Sequence, residues 1–182
     1  MRRTAIALAL LIVPVLALSG CTPTPPPAVT APKPSSTPLF ATEDEALKAA
    51  TEAYAAYVEV SDQILIDGGS DPDRIASVAT GDQLEANLRG YKKAREEGLH
   101  STGGTAFDRV KVQQIGTESR SALVVYLCED LGLVDVLDAS GVSVVASSRP
   151  DKSGYEVSFD YSSNTTPSLK VASKIPWTEY SC

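Results

Sequence analysis

Apolar residues recur at helical spacing through the first half of the region that follows residue 38. Leu47, Ala50, Tyr54, Tyr57, Val58, Ser61, Ile64 and Leu65 fall on one stripe, the period of an amphipathic helix. Thr42-Glu43-Asp44-Glu45 is a capping box at its start, and Asp67-Gly68-Gly69 ends it. Asp71-Pro72 opens a second, short helix, with Ile75, Val78 and Ala79 inward. Its proline stands in the first turn, where the missing amide costs nothing. Thr80-Gly81-Asp82-Gln83 reads as another capping box. It predicts a third helix with Leu84, Leu88 and Tyr91 on its buried face and Lys92, Lys93, Arg95, Glu96 and Glu97 mostly outward. Gly98 is a natural terminator.

Beyond residue 98 the period changes. Phe107, Val110, Val112 and Ile115 sit in a β-rich run. Ser121 to Cys128 is almost continuously apolar and predicts a central strand. A turn follows near Gly132. Val134 and Val136, then Val142, Val144 and Val145, flank Asp138-Ala139-Ser140-Gly141, a hairpin signal. Tyr155, Val157, Phe159 and Tyr161 alternate, as do Leu169, Val171, Ser173 and Ile175. Helices first and antiparallel strands afterwards predict an α+β fold, with the helices on one face of the sheet. Positions 39–182 form one domain, large enough to bury a core.

The first 38 residues read differently. Arg2 and Arg3 precede an apolar run from Ala5 to Leu18, which ends in Leu18-Ser19-Gly20-Cys21. This layout looks like a bacterial lipobox behind a secretory leader. The run is too short for a membrane span. The expectation is a signal peptide over 1–20, cleaved between Gly20 and Cys21, with a diacylglyceryl anchor on Cys21. That places the protein on the extracytoplasmic side of the cell membrane. Positions 22–38 carry seven of the chain's 12 prolines. Residues 21–38 thus read as anchor and stalk, extended at ~3.1 Å per residue to roughly 50 Å.

Loss of Arg2 and Arg3 leaves 14 basic against 23 acidic residues, a net charge of −9. An acidic domain repels nucleic acid, so no nucleic-acid partner is expected. With Cys21 assigned to lipid, Cys128 and Cys182 remain. A lone pair in an exported domain predicts a disulfide. The alternative is a buried thiol at Cys128 and an exposed one at Cys182. With no CxxC motif, such a bond would be structural.

The layout resembles the nuclear transport factor 2-like, or cystatin-like, cone fold, and more closely the small lipoproteins of high-GC Gram-positive bacteria that carry it. The residues behind the likeness are Leu18 to Cys21, the proline stalk, Val78-Ala79-Thr80-Gly81, and the ending Cys128-Glu129-Asp130, Arg149-Pro150, Tyr155-Glu156-Val157-Ser158-Phe159, Trp177 and Cys182. The resemblance implies three N-terminal helices against the concave side of a curved antiparallel sheet, and a disulfide. It implies no activity, because one fold hosts many functions.

Candidate chemistry is sparse. His100 is the only histidine and reads as a turn residue. Asp67, Asp71 and Asp73 miss the spacing of a calcium loop and sit where capping explains them. No phosphate loop or serine elbow appears. No metal, cofactor or catalytic residue is therefore assigned. The cone implies a pocket that Tyr54, Tyr57, Tyr91, Tyr126 and Asp130 would line. The first reading is a non-catalytic module that binds an envelope protein, a wall component or a small ligand. The alternatives are a component of an envelope secretion or conjugation assembly, and an isomerase- or hydratase-type enzyme using the pocket. A buried acid in an open cavity, with a tyrosine hydroxyl within ~3 Å, would favour the enzyme. A cavity plugged by tyrosines would favour the surface.

Overall fold

The structure, a computed structural model, describes residues 39–162, 168–179 and 182. The expected leader, Cys21 and the stalk lie outside these residues. No helix among them is long and apolar enough to cross a membrane.

Helix α1, Glu43–Ile66, begins as its capping pattern predicts. Thr42 Oγ1 accepts from the Glu45 amide at 3.1 Å. The Glu45 carboxylate accepts from the Ala41 amide at 2.8 Å, one residue ahead of the cap. Three acids in the first turn oppose the positive end of the helix dipole. At the far end the Gly69 amide closes on the Ile64 carbonyl at 2.7 Å. A Cβ on Gly69 would stand 2.4 Å from the Tyr91 carbonyl oxygen, so the exit of α1 requires glycine.

A short 3-10 helix, Pro72–Ser77, leads into α2, Gly81–Glu97. The second capping box does not form. Thr80 makes no side-chain cap bond, and Gln83 turns inward and is buried. The inner stripe of α2 is Gln83, Asn87, Tyr91 and Ala94, while Leu84 and Leu88 lie half-buried on its flank. The helix is rotated from the predicted apolar face because the Tyr57 hydroxyl beneath it needs polar partners.

The strands are β1 (His100–Thr102), β2 (Ala106–Ile115), β3 (Leu123–Asp130), β4 (Asp135–Leu137), β5 (Lys152–Ser162) and β6 (Ser168–Pro176). The main sheet is antiparallel throughout, in the order β2-β3-β5-β6, and β1 pairs with β4 in a small second sheet. This is an α+β fold, with the helices preceding a curved antiparallel sheet. Leu123, Val125 and Leu127 of β3, Val157 and Phe159 of β5 and Val171 of β6 form the inner face. They pack on Ala46, Ala50, Tyr54, Tyr57 and Val58 of α1.

Bulges decide which side chains face inward. Phe107, Val110, Val112 and Ile115 do not keep a period of two, yet all pack on the core. Register shifts between Asp108 and Lys111, and between Val112 and Gln114, reconcile that spacing with one face. In β6 the shift falls at Ala172, since Phe159 pairs with Val171 while Ser158 pairs with Ser173. The predicted alternation of β6 therefore fails after Val171. Ser173 and Ile175 turn to the outer face, Ile175 is exposed, and Lys174 turns inward opposite Val157.

Two further expectations need correction. His100 is not a turn residue but the first residue of β1, paired with Leu137. The hairpin at 138–141 exists, closed by the Gly141 amide on the Asp138 carbonyl at 2.9 Å. Its return arm adds no strand to the main sheet, however, and Val142 and Val144 are exposed.

The outer face of the sheet carries the C-terminal latch. Cys128 alternates outward from Leu127 and is bonded to Cys182, with Cα atoms 5.7 Å apart. The Trp177 amide donates to Gly154 O at 2.9 Å. The Trp177 ring lies 4.6 Å from that of Tyr126.

Candidate functional site

The inner stripe of α1 places three polar tips toward the sheet and α2: the hydroxyls of Tyr54, Tyr57 and Ser61. Tyr54 meets its partner on β3, and Tyr57 and Ser61 meet theirs on α2. Tyr54, with no exposed surface, donates to Glu129 Oε1 on β3 at 2.6 Å. Tyr57 OH accepts from Gln83 Nε2 at 2.7 Å and from Asn87 Nδ2 at 3.1 Å. Asn87 Nδ2 also donates to Tyr91 OH at 2.9 Å, and Tyr91 OH donates to Ser61 Oγ at 2.9 Å. The result is a connected polar spine between the helices in which every tyrosine hydroxyl is used.

Glu129 is 3 % exposed and continues the inward parity of Leu123, Val125 and Leu127. A buried carboxylate is expensive unless paired. Lys174 supplies the pairing, with Nζ 3.0 Å from Oε1 and 2.9 Å from Oε2. The ammonium also lies 4.5 Å from the centre of the Tyr155 ring. Burial pulls the Lys174 pKa down, but the charge and hydrogen bond of Glu129, together with Tyr57 and Tyr155, outweigh it and hold the ammonium above the ordinary lysine value. Burial, then the adjacent Glu129 charge, pushes Tyr54 well above the usual tyrosine value. Burial likewise raises Tyr57 and Tyr91, with hydrogen bonds from neighbouring side chains offsetting part of the effect.

Beside this pair is a cavity of about 260 Å³. Tyr57, Ser61 and Asp62 of α1, Glu129, Lys174 and Arg149 provide its polar wall; Val58, Leu65, Leu131, Val134 and Val136 provide its apolar wall. Two loops shape the mouth. Asp62 clamps the first, its carboxylate accepting from the Thr105 amide at 2.7 Å and the Thr105 hydroxyl at 2.9 Å. Arg149 Nη2 clamps the second, donating to Leu131 O at 2.9 Å and Val134 O at 2.7 Å. The loops touch at Gly103, where a Cβ would lie 1.8 Å from the Leu133 carbonyl oxygen.

Of the residues expected to line a pocket, only Tyr57 is on the cavity wall. Tyr54 and Tyr91 stand behind it, joined to it through Glu129 and the polar spine. Tyr126 and Asp130 do not belong to the site, because both alternate to the outer face of β3 with Cys128. Tyr126 stacks on Trp177 there. Asp130 pairs with Lys152 at 3.2 Å, and the Gly132 amide and Lys152 hold its carboxyl below the usual range. Asp67, considered for calcium, is bound by Arg74 at 2.6 Å.

The buried acid within reach of a tyrosine is thus Glu129 rather than Asp130. One signal for it was present, since Glu129 continues the odd-numbered apolar series of β3. Lys174 had no such signal, because its inward placement depends on the bulge at Ala172. Arg149 lies in a loop far from α1 in sequence, and neither it nor Asp62 carries a local pattern that marks the site.

No family model matches the chain, and no curated protein matches it. Solved structures with some likeness include the crystal structure of the intermembrane space region of the chloroplast protein ARC6. It is 11% identical, covering 71% of this chain and 95% of that one, with a TM-score of 0.49. A solution NMR structure of a de novo β-sheet design is 15% identical over 76% of this chain and 95% of that one, with a TM-score of 0.29.

Proposed function

We propose that this protein is a lipid-anchored extracytoplasmic lipoprotein whose domain, a nuclear transport factor 2-like cone, binds a small ligand without transforming it. The lipobox-like run to Cys21 and the proline stalk support the anchor. The binding reading is carried by the state of Glu129 at the cavity wall. A general base needs a free lone pair aimed at substrate. Glu129 instead accepts from Lys174 at both oxygens and from Tyr54 at one. What is left is a preformed concavity with apolar walls and a few fixed polar groups, the usual make-up of a small-molecule site.

The test is retention of small molecules by the full chain, read by mass spectrometry after release, in wild type and in Val136→Phe, which fills the cavity. Retention by wild type and loss in the variant is the expected result. Equal retention by both would place binding elsewhere. Anchoring is read separately: Cys21→Ser should abolish acylation in metabolic labelling, and unchanged acylation would refute the anchor.

The 2.6 Å contact of Tyr54 with a buried carboxylate also supports a second reading, an isomerase- or hydratase-type proton transfer. Under that reading Glu129→Gln would leave ligand retained but unchanged, whereas wild type would release a product of altered structure.

A further inference from the structure

Arg149 differs from the other charged groups of the cavity wall. Glu129 and Lys174 neutralise each other at 2.9 Å. Asp62 is satisfied at both oxygens by Thr105. Arg149 uses Nη2 on the carbonyls of Leu131 and Val134, and among the described residues it forms no ion pair. Its Nε is shut off from solvent and from the cavity, while Nη1 makes no hydrogen bond among the described residues and is not buried. The carbonyl clamp thus fixes a cationic side chain without a counter-charge at the wall of a cavity, with one nitrogen open.

We propose that this cavity takes a small monoanionic amphiphile, a carboxylate on a short apolar body, with the carboxylate on the Arg149 guanidinium. This rests on the cavity being the ligand site. The carboxylate would accept from Nη1 of the guanidinium, a planar donor group suited to carboxylate geometry. The apolar body would lie against Val58, Leu65, Leu131, Val134 and Val136. The wall as built carries two cations, Lys174 and Arg149, and two carboxylates, Asp62 and Glu129. One added negative charge is met by Arg149, while a second would face those carboxylates unpaired. Polyphosphates and dicarboxylates are therefore disfavoured. A cavity of about 150 Å³ takes a benzene ring, so about 260 Å³ admits a ring with a short acidic arm.

The probe is 4-fluorophenylacetate, followed by fluorine NMR line broadening with the full chain in lipid nanodiscs and empty nanodiscs as the blank. 4-Fluorophenylacetamide and 4-fluorophenethylammonium have a similar body with a neutral or positive end. Wild type should bind the acid at least about tenfold more tightly than either, the scale of one hydrogen bond to a charged group. Arg149→Met should abolish that preference, and Val136→Phe should abolish binding of all three. The preference is read in wild type, so the test survives a variant that fails to fold. Equal binding of acid and amide overturns the anion proposal but leaves the cavity a binding site. Absence of binding by all three probes at millimolar concentration overturns both.

Discussion

Lys174 on β6 reaches Glu129 on β3 across the intervening strand β5, over the ring of Tyr155, and holds both carboxylate oxygens within 3.0 Å. The two side chains share the inner face only because β6 is bulged at Ala172. Without the bulge Lys174 would face outward and Glu129 would be a buried charge held by Tyr54 alone.

Removing one partner should therefore cost more than removing both. Lys174→Met leaves the Glu129 charge buried and should destabilise the domain by about 3 kcal/mol. Lys174→Met combined with Glu129→Gln should recover most of that loss. Urea denaturation of the three proteins checks it. A double variant as unstable as the single one would show that Lys174 acts through packing, not charge.

Alkaline pH should unfold the domain. Lys174 has a raised pKa in the folded state, so its contribution is complete below the ordinary lysine value and is lost as pH rises through the higher folded value. Tyr54, Tyr57 and Tyr91 are also raised, and the folded state resists their ionisation, so they act in the same direction. Thermal midpoints should stay level through neutral pH and fall above the ordinary lysine and tyrosine values. Tyrosinate absorbance should lag for the buried tyrosines until unfolding. Full ionisation of every tyrosine in the folded protein would contradict the burial.

The latch between Cys128 and Cys182 encloses a separation of 54 residues. Cys182→Ser should cost about 2–4 kcal/mol, as bonds of this kind commonly do. It should also free the segment that carries Trp177 from the Tyr126 ring, with a change in tryptophan emission. An unchanged midpoint and unchanged emission would mean that the segment docks without the bond.

Asn87 is the hub of the helix–helix spine, bonded to Tyr57, Gln83 and Tyr91. Asn87→Leu should strand these groups and cost about 1–3 kcal/mol despite the added apolar surface. Asn87→Asp keeps an acceptor but loses the amide donors that serve Tyr57 and Tyr91, and should also destabilise. A stabilised Asn87→Leu would mark the spine as tolerant of apolar repacking.

Much of the architecture was legible in the order of residues. Apolar period, the Thr42 cap, Pro72 and Gly98 place two helices and a short 3-10 helix before the strands, because these are local signals acting within a turn or two of chain. The cysteine count pointed to the bond between Cys128 and Cys182. The inward parity of Glu129 also stood in the sequence, as a charged residue in phase with Leu123, Val125 and Leu127. Tertiary structure alone decided the rest. A one-residue bulge reverses the facing of every later side chain in a strand, and nothing near Ala172 announces it. The face of α2 followed the hydroxyl of Tyr57 rather than the hydrophobic stripe, since a buried polar group without a partner outweighs a half-buried leucine. The cavity joins Asp62, Glu129, Arg149 and Lys174 from four separate segments, a proximity set by the packing of the helices on the sheet, which no local pattern encodes.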